Sequence, residues 1–257
     1  MASGNMNLPG GDAGQLREHR IARTLVELAD TLVDDFDLTD FLHMLVEHSV
    51  DLLGVTAAGV LLGDQRGGVR MAAASSERAE ILEVFAAETD GGPCVECLRT
   101  GQPITSTNLA ADTQRWPRYV TAAQECGFTA VHAIPMRLRR EVIGVLSLLN
   151  THTHGLEQTT SDLGQALADV ATIGILQQRS IKHSQELTEQ LQTALNTRVI
   201  IEQAKGMLAA SRTHTTPEHA FTALRGYARA HHIKLTTLAQ DIVEGNANRD
   251  TILDHNT

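Results

Sequence analysis

The stretch that organises this chain lies near its C-terminus, at residues 195–245: LNTRVIIEQAKGMLAASRTHTTPEHAFTALRGYARAHHIKLTTLAQDIVEG. Its apolar residues recur at helical spacing in three segments, which predicts three short helices around one small core. The second helix is expected to begin at the Thr-Pro pair of residues 216–217, a capping residue followed by a proline suited to the first helical position. The third is expected to begin at Thr236 or Thr237 and to end at Gly245.

Basic side chains are spread through this C-terminal stretch. Between residues 188 and 245, six Lys and Arg stand against five Asp and Glu, a local charge of +1, whereas the whole chain carries −10. A near-neutral to basic segment on an acidic chain favours contact with a polyanion at this end. The basic residues are Arg198, Lys205, Arg212, Arg225, Arg229 and Lys234.

Three blocks of the same stretch resemble the ANTAR domain, the RNA-binding three-helix module of transcription antitermination regulators. The blocks are Arg198-x-x-Ile201-x-x-Ala204-Lys205-Gly206-x-Leu208, then Ala220-Phe221-x-x-Leu224-Arg225, then Leu235-x-x-Leu238-Ala239 with Ile242-Val243. The resemblance covers nearly the whole module. It implies a homodimer in which each module holds one hairpin loop of a tandem pair in nascent RNA, which favours an antiterminator over a terminator.

The resemblance also suggests which residues meet RNA. Basic side chains would contact phosphates or loop bases, because loops splay their bases and arginine planes can stack on them. Gly206 lies inside a predicted helix, where glycine costs about 1 kcal/mol relative to alanine, so close approach by a helix or by RNA is expected there. Tyr227 could stack on a base or pack in the core. The candidate RNA-binding residues are Lys205, Arg225, Arg198, Arg229, Gly206 and Tyr227, and the residues expected to pack the helices are Ala204, Gly206, Leu208, Phe221 and Leu224.

The first 150 residues alternate between helical and strand periodicity. Helical spacing covers residues 16–33 and 38–53, with Asp37 or Thr39 as the cap of the second helix and Gly54 as its end. Short apolar runs at residues 56–62 and 69–74, and at 130–135 and 142–149, predict two hairpins. Helices and one further strand fill the interval between them. This order predicts an α+β domain with a mostly antiparallel sheet and helices on its faces.

This body resembles a GAF domain, a small-molecule sensing module. The residues that carry the resemblance are Gly92-Pro93-Cys94-x-x-Cys97-Leu98-x-Thr100-Gly101-x-Pro103-Ile104, Arg115-Trp116-Pro117 and the closing strand pair HAIPMRLRREVIGVLSLLN at residues 132–150. The resemblance implies that the domain senses a small ligand or a partner. The ligand is unknown, and the asparagine-lysine-phenylalanine-aspartate-glutamate motif of cyclic-nucleotide GAF domains is not evident.

A nearly continuous helix is expected between the two modules, because only Gly174 interrupts residues 165–205. An apolar stripe along it favours a coiled-coil dimer, with Gly174, Gln177 and Ser184 at seam positions. The predicted fold class is therefore α+β: a GAF-like antiparallel sheet with flanking helices, a long linker helix and a C-terminal three-helix ANTAR bundle. The expected organisation is a disordered tail at 1–15, a sensor domain at 16–176, a coiled-coil linker at 177–194, the RNA-binding domain at 195–245 and a tail at 246–257.

Two other function classes are open at this stage. Three helices with a basic face also fit a DNA-binding transcription factor. Cys94-x-x-Cys97, with Cys126 as the third cysteine, could serve a thiol-dependent reductase, since free methionine-sulfoxide reductase uses cysteines on the GAF fold. Burial of both thiols is the alternative interpretation, because free cysteines are among the most buried residues. We expect no enzyme activity, no cofactor and no metal site.

We expect a cytoplasmic protein. The first residues lack the basic start and apolar run of a signal peptide, and the chain has no apolar stretch of about 18 residues, so no membrane contact is expected. Three cysteines, an odd number, fit a reducing compartment.

Overall fold

The structure, a computed structural model, describes residues 11–32, 36–64, 68–139, 141–153 and 155–255. The chain divides into two compact units, Met1–Ser180 and Ile181–Thr257. One helix, α6 (Gln158–Ser211), contributes residues to both. Residues 1–10 of the expected disordered tail lie outside the described residues, and residues 11–15 belong to the first helix. In the part of the chain that is described, no helix is both long and apolar enough to cross a membrane.

The first unit contains a five-stranded sheet with helices on both faces. Its elements are α1 (Gly11–Thr31), α2 (Leu38–Leu53), β1 (Ala57–Gly63), β2 (Val69–Ala74), α3 (Glu77–Thr89), α4 (Pro93–Thr100), β3 (Ile104–Ser106), a 3-10 turn (Leu109–Asp112), α5 (Pro117–Glu125), β4 (Ala130–Leu138), β5 (Glu141–Asn150) and the first part of α6. The strand order is β2-β1-β5-β4-β3, and all neighbours are antiparallel. The predicted α+β class and antiparallel sheet are confirmed.

Alternate residues of each strand enter different hydrophobic cores, because both faces of the sheet are covered. On β1, Val60 and Leu62 pack into the core formed with α1, α2 and α6. Ala57 and Leu61 pack into the core on the other face, formed with α3, α4 and α5. The unit therefore has three layers, helices on sheet on helices.

The helix boundaries of this unit follow the predicted capping residues. Asp37 caps α2, and its carboxylate accepts hydrogen bonds from the backbone N–H of Thr39 at 2.6 Å and of Asp40 at 3.3 Å. Gly54 ends the helix with φ of 64°, a left-handed conformation that glycine adopts without a steric penalty.

The first part of α6 packs on the sensor domain itself. Gly174 is buried, and a Cβ there would lie 2.7 Å from Leu32 Cδ2 and 3.1 Å from the ring of Phe41. Gln177 donates a side-chain hydrogen bond of 2.8 Å to the carbonyl of Leu32. The assignment of Gly174 and Gln177 to a coiled-coil seam is therefore wrong, since these positions face α1 and α2 of their own domain.

The second unit is a helical bundle formed by the end of α6, α7 (Pro217–Ala230), α8 (Leu235–Glu244) and α9 (Arg249–Asp254). Thr216 caps α7 by accepting a hydrogen bond from His219 N–H at 3.3 Å, and Gly245 ends α8 with φ of 82°, as predicted. The start of α8 differs, because Lys234 occupies the capping position that was expected at Thr236 or Thr237.

The fourth helix of the bundle, α9, was not predicted, because residues 246–257 were assigned to a tail. Asn248 caps it by accepting hydrogen bonds from the backbone N–H of Asp250 and Thr251. Ile252 and Leu253 are only 1% and 2% exposed and belong to the bundle core. The six-residue helix α9 thus completes a core that the other three helices cover only in part.

Candidate nucleic-acid interface

An exposed basic face lies on α7. The side chains of Ala223, Leu224 and their neighbours point into the bundle core, so the opposite side of the helix is free. Arg225 and Arg229 lie one turn apart on that side. Neither arginine forms an ion pair with any described residue.

The two arginines share an open depression of about 390 Å³ with three smaller or apolar neighbours, Phe221, Thr222 and Gly226. Phe221 is half-buried and lies outside the core cluster, so its predicted packing between the helices is wrong. An aromatic ring beside two guanidinium groups is an arrangement that can bind an unstacked base. Residues 221, 225 and 229 recur every fourth position, and this spacing predicts that they share one face of α7. The sequence does not show that this face is exposed, because the buried side of the helix is rich in alanine.

A second group of candidate residues lies along one face of α6. Arg198 is exposed, and Lys205 follows two turns later. The Lys205 ammonium pairs with the carboxylate of Glu202, and its side chain is 24% exposed. An RNA phosphate would therefore compete with Glu202 for this ammonium group.

Gly206 lies on the solvent side of α6. It is exposed, and a Cβ built there would meet no atom within 4 Å. The prediction that Gly206 helps to pack the helices is wrong, because no other helix of the described part of the chain comes within 4 Å of this position. The surface at Gly206 is therefore open to close approach from solvent.

Tyr227 is engaged within the bundle. Its ring stacks on His231 with a centroid distance of 3.9 Å and meets the edge of His255 at 5.4 Å. It is also packed against the bundle core. Core packing, one of the two predicted roles of Tyr227, is thereby confirmed, and its ring would have to leave His231 to stack on a base.

Arg212 serves the fold rather than the exposed basic faces. Its guanidinium lies 3.2 Å from Asp250 and 2.6 Å from Asp254, both on α9. These contacts lower the pKa of the Asp254 carboxyl. Arg212 thus joins the end of α6 to α9. In this it differs from Arg225 and Arg229, which form no ion pair with any described residue.

Two of the three cysteines of the first unit are closed to solvent, whereas Cys126 is partly exposed. Cys94 and Cys97 are both 0% exposed. Burial raises the pKa of Cys97 to about 12 and the pKa of Cys94 well above its ordinary value. Because the thiolate is the reactive form, these thiols are poor nucleophiles at neutral pH.

Two families match the chain, and the interval between their matches, residues 177–188, contains the division between the two compact units. The ANTAR domain family matches residues 189–243, and the GAF domain family matches residues 37–176, more than half of the chain. The chain belongs to the GAF domain family. All six candidate RNA-binding residues fall inside the ANTAR domain, whereas α9 lies beyond it. No curated protein matches the chain.

Solved structures share the fold of the GAF domain at low sequence identity. The GAF domain of a phosphoenolpyruvate-protein phosphotransferase from Acinetobacter is 15% identical with a TM-score of 0.52, over 65% of this chain and 96% of that one. Its counterpart from Coxiella burnetii is 15% identical with a TM-score of 0.51, over 64% and 98%. Free methionine-R-sulfoxide reductase from Neisseria meningitidis, solved with its substrate, is 15% identical with a TM-score of 0.51, over 69% and 98%. At this identity the likeness concerns the fold alone.

Proposed function

We propose that this protein is a signal-responsive regulator of transcription, not an enzyme, whose ANTAR domain binds tandem hairpins in nascent RNA and thereby favours antitermination. The GAF domain senses a small ligand or a partner in the cytoplasm. The observation that carries the proposal is the exposed face of α7, where Arg225 and Arg229 have no ion-pair partner among the described residues and line the same depression as the half-buried ring of Phe221.

The two groups of basic residues have distinct roles in this proposal. On α7, the arginines bind phosphates or base edges of a hairpin loop, and Phe221 stacks on one of its splayed bases. On α6, Gly206 lets the RNA backbone come close to the helix, and Lys205 exchanges its contact with Glu202 for a phosphate. Arg198 adds a further positive charge on that face.

A homodimer is proposed because α6 carries an exposed apolar stripe beyond the sensor domain. Its residues are Leu187, Leu191, Leu195 and Val199, which are 49%, 57%, 58% and 53% exposed. They recur every fourth residue along one helix and span about 18 Å. An exposed row of this kind typically marks an interaction site, and a second copy of the same helix would bury it. The dimer presents two ANTAR domains to two hairpins.

In the proposed mechanism the ligand of the GAF domain changes the pairing or register of the two α6 helices. The change sets whether both ANTAR domains can hold the two hairpins at once. Two weak contacts on one RNA molecule then give a higher overall affinity than either contact alone. The dimer would therefore select a transcript by the distance between its two hairpins as well as by the sequence of their loops.

A gel-shift titration tests the proposal directly. The purified full chain is titrated into a two-hairpin RNA, into its single-hairpin half and into duplex DNA of equal length. We expect tight binding to the two-hairpin RNA only, with an affinity that falls steeply as salt increases because phosphates are contacted. Equal binding to the single hairpin would exclude the tandem arrangement, and preferential binding to duplex DNA would favour a DNA-binding regulator instead.

A further inference from the structure

Four polar side chains meet in the core layer of the GAF domain under α3, α4 and α5. Glu83 of α3, Cys94 of α4, Tyr119 of α5 and Ser147 of β5 are each 2% exposed or less. The Cys94 thiol lies 3.9 Å from Glu83 Oε1. Three oxygen atoms of this cluster, Glu83 Oε2, Tyr119 Oη and Ser147 Oγ, have no hydrogen-bond partner among the described residues.

Glycines make room for the two largest members of the cluster. A Cβ at Gly59 of β1 would lie 3.0 Å from Glu83 Cγ. A Cβ at Gly92, at the start of α4, would lie 2.6 Å from the Tyr119 ring, and Gly92 has φ of 116°. The backbone on two sides is therefore shaped to hold the carboxyl and the phenol in the interior.

The cluster is costly for the fold as it stands. A buried carboxylate without a cation loses its hydration, and an apolar residue of similar size would avoid that loss. Burial raises the pKa of Glu83 to about 7, and the neighbouring side chains of Ser147 and Cys94 offset this rise only in part. No Lys, Arg or His contributes to this balance. Buried polar groups without partners are uncommon in folded proteins and concentrate at functional sites.

We propose that the Glu83–Tyr119–Ser147 cluster recognises a primary ammonium group of a small ligand, which makes it the sensing site of the GAF domain. An ammonium group offers three N–H donors, and the cluster offers three oxygen atoms that lack partners. The positive charge of the ligand pairs with the Glu83 carboxylate, which no cation of the described residues neutralises. Burial of all three side chains favours a small ligand, and the negative charge of Glu83 selects against carboxylates and phosphates.

The test uses the full chain and three probes of similar size: propylammonium, propanol and propionate. Each probe is added at millimolar concentration, and the midpoint of thermal unfolding is measured. A ligand that binds only the folded state raises this midpoint. We expect propylammonium to raise it in the wild type, whereas propanol and propionate leave it unchanged. An equal effect of propanol, or no effect of propylammonium, would overturn the proposal.

Three variants locate the response. Glu83→Gln removes the charge at nearly constant volume and should abolish the effect of propylammonium. Glu80→Gln makes the same change at an exposed position of α3 and should retain it. Ser147→Ala removes a second oxygen and should reduce the response, which keeps the test decisive if Glu83→Gln does not fold. If propylammonium raised the unfolding midpoint of Glu83→Gln or Ser147→Ala as much as that of the wild type, the amine would bind at another site and the proposal would be wrong.

The pH dependence gives a second readout. Propylammonium requires ionised Glu83, so its effect should be larger at pH 8 than at pH 6. Cys94 and Tyr119 also face Glu83, and burial raises the pKa of both well above their ordinary values, so they stay neutral across this interval. An effect of propylammonium that does not change with pH would contradict pairing with Glu83.

This inference rests on the proposed sensing role of the GAF domain but not on RNA binding. The same samples are therefore assayed for two-hairpin RNA by gel shift. An amine response without RNA binding would remove the proposed function and leave the ligand site. RNA binding without a response to propylammonium would refute only the proposed ammonium site.

Discussion

Phe221 and Arg225 place an aromatic ring and a guanidinium group one turn apart on the exposed face of α7. We expect Arg225→Ala to weaken binding of two-hairpin RNA by about tenfold or more, since it removes a positive charge and the proposed contact with a loop base. Phe221→Leu should also weaken binding, by about 1–3 kcal/mol, because stacking on a base is lost while an apolar side chain remains. Gel-shift titrations of both variants at one fixed salt concentration measure these affinities.

The matched control for these substitutions is Lys182→Ala, an exposed cation on α6 outside the ANTAR domain. It should leave RNA affinity unchanged. Unaltered affinity of Arg225→Ala, with helicity intact by circular dichroism, would remove α7 from the interface.

Glu83 predicts a pH dependence of stability with a definite sign. Burial raises the pKa of its carboxyl from 4.5 to about 7. Between these values the folded protein holds a proton that the unfolded chain has released, so the contribution of Glu83 to the free energy of unfolding falls as pH rises. The full change is on the order of 3 kcal/mol. Urea unfolding at pH 5 and pH 8 should show this decline in wild type and in Glu80→Gln but not in Glu83→Gln. A Glu83→Gln curve parallel to wild type would show that the carboxyl does not titrate in this interval.

Gly206 carries a prediction at the level of the helix. Because a Cβ there meets no atom within 4 Å, Gly206→Ala should stabilise α6 by about 1 kcal/mol. The same methyl group should weaken RNA binding if the RNA backbone approaches the helix at this point. Thermal unfolding and gel shift on one sample separate the two effects. Gln203→Ala, at an exposed position on the same helix, should leave RNA affinity unchanged; a gain in stability by Gly206→Ala with full RNA affinity would leave the glycine without a role.

The ends of the helices were the easiest elements to predict. Asp37, Gly54, Thr216 and Gly245 act through their own backbone and side-chain geometry, which the local sequence determines. The missed helix α9 spans six residues and has no long apolar period, although Asn248 was a readable cap. Short helices of this kind form because a core accepts their side chains, and the local sequence does not show that core.

The candidate site residues are harder to predict, because their burial and exposure depend on contacts distant in sequence. Glu83 looks like Glu80 and Glu88 in the sequence, and its burial against β1, α4 and β5 distinguishes it from them. The positions of the arginines were predicted, whereas the exposure of Phe221 depends on which side of α7 the core covers. The helical period predicts that Gly174 is buried, but it does not show whether a second copy of α6 or the helices of its own domain cover it.

At the scale of the whole molecule, the exposed stripe of α6 predicts the oligomeric state. Leu191→Lys places a charge at the centre of this stripe and should convert a dimer into a monomer, as measured by analytical ultracentrifugation. Affinity for two-hairpin RNA should then fall to that for a single hairpin, because the second contact is lost. Thr193→Lys adds the same charge on the opposite side of the helix and should remain dimeric. A dimeric Leu191→Lys variant would place the interface elsewhere.

Ile252 and Leu253 lie in the core of the bundle, although the ANTAR domain match stops at residue 243. A stop codon shortly after Gly245 would leave every candidate RNA-binding residue in the translated product. It would nevertheless uncover the bundle core and release Arg212 from Asp250 and Asp254. A nonsense mutation that removes so little coding sequence would therefore act as a loss-of-function allele, and an expression fragment that ends at the family boundary would be prone to aggregation.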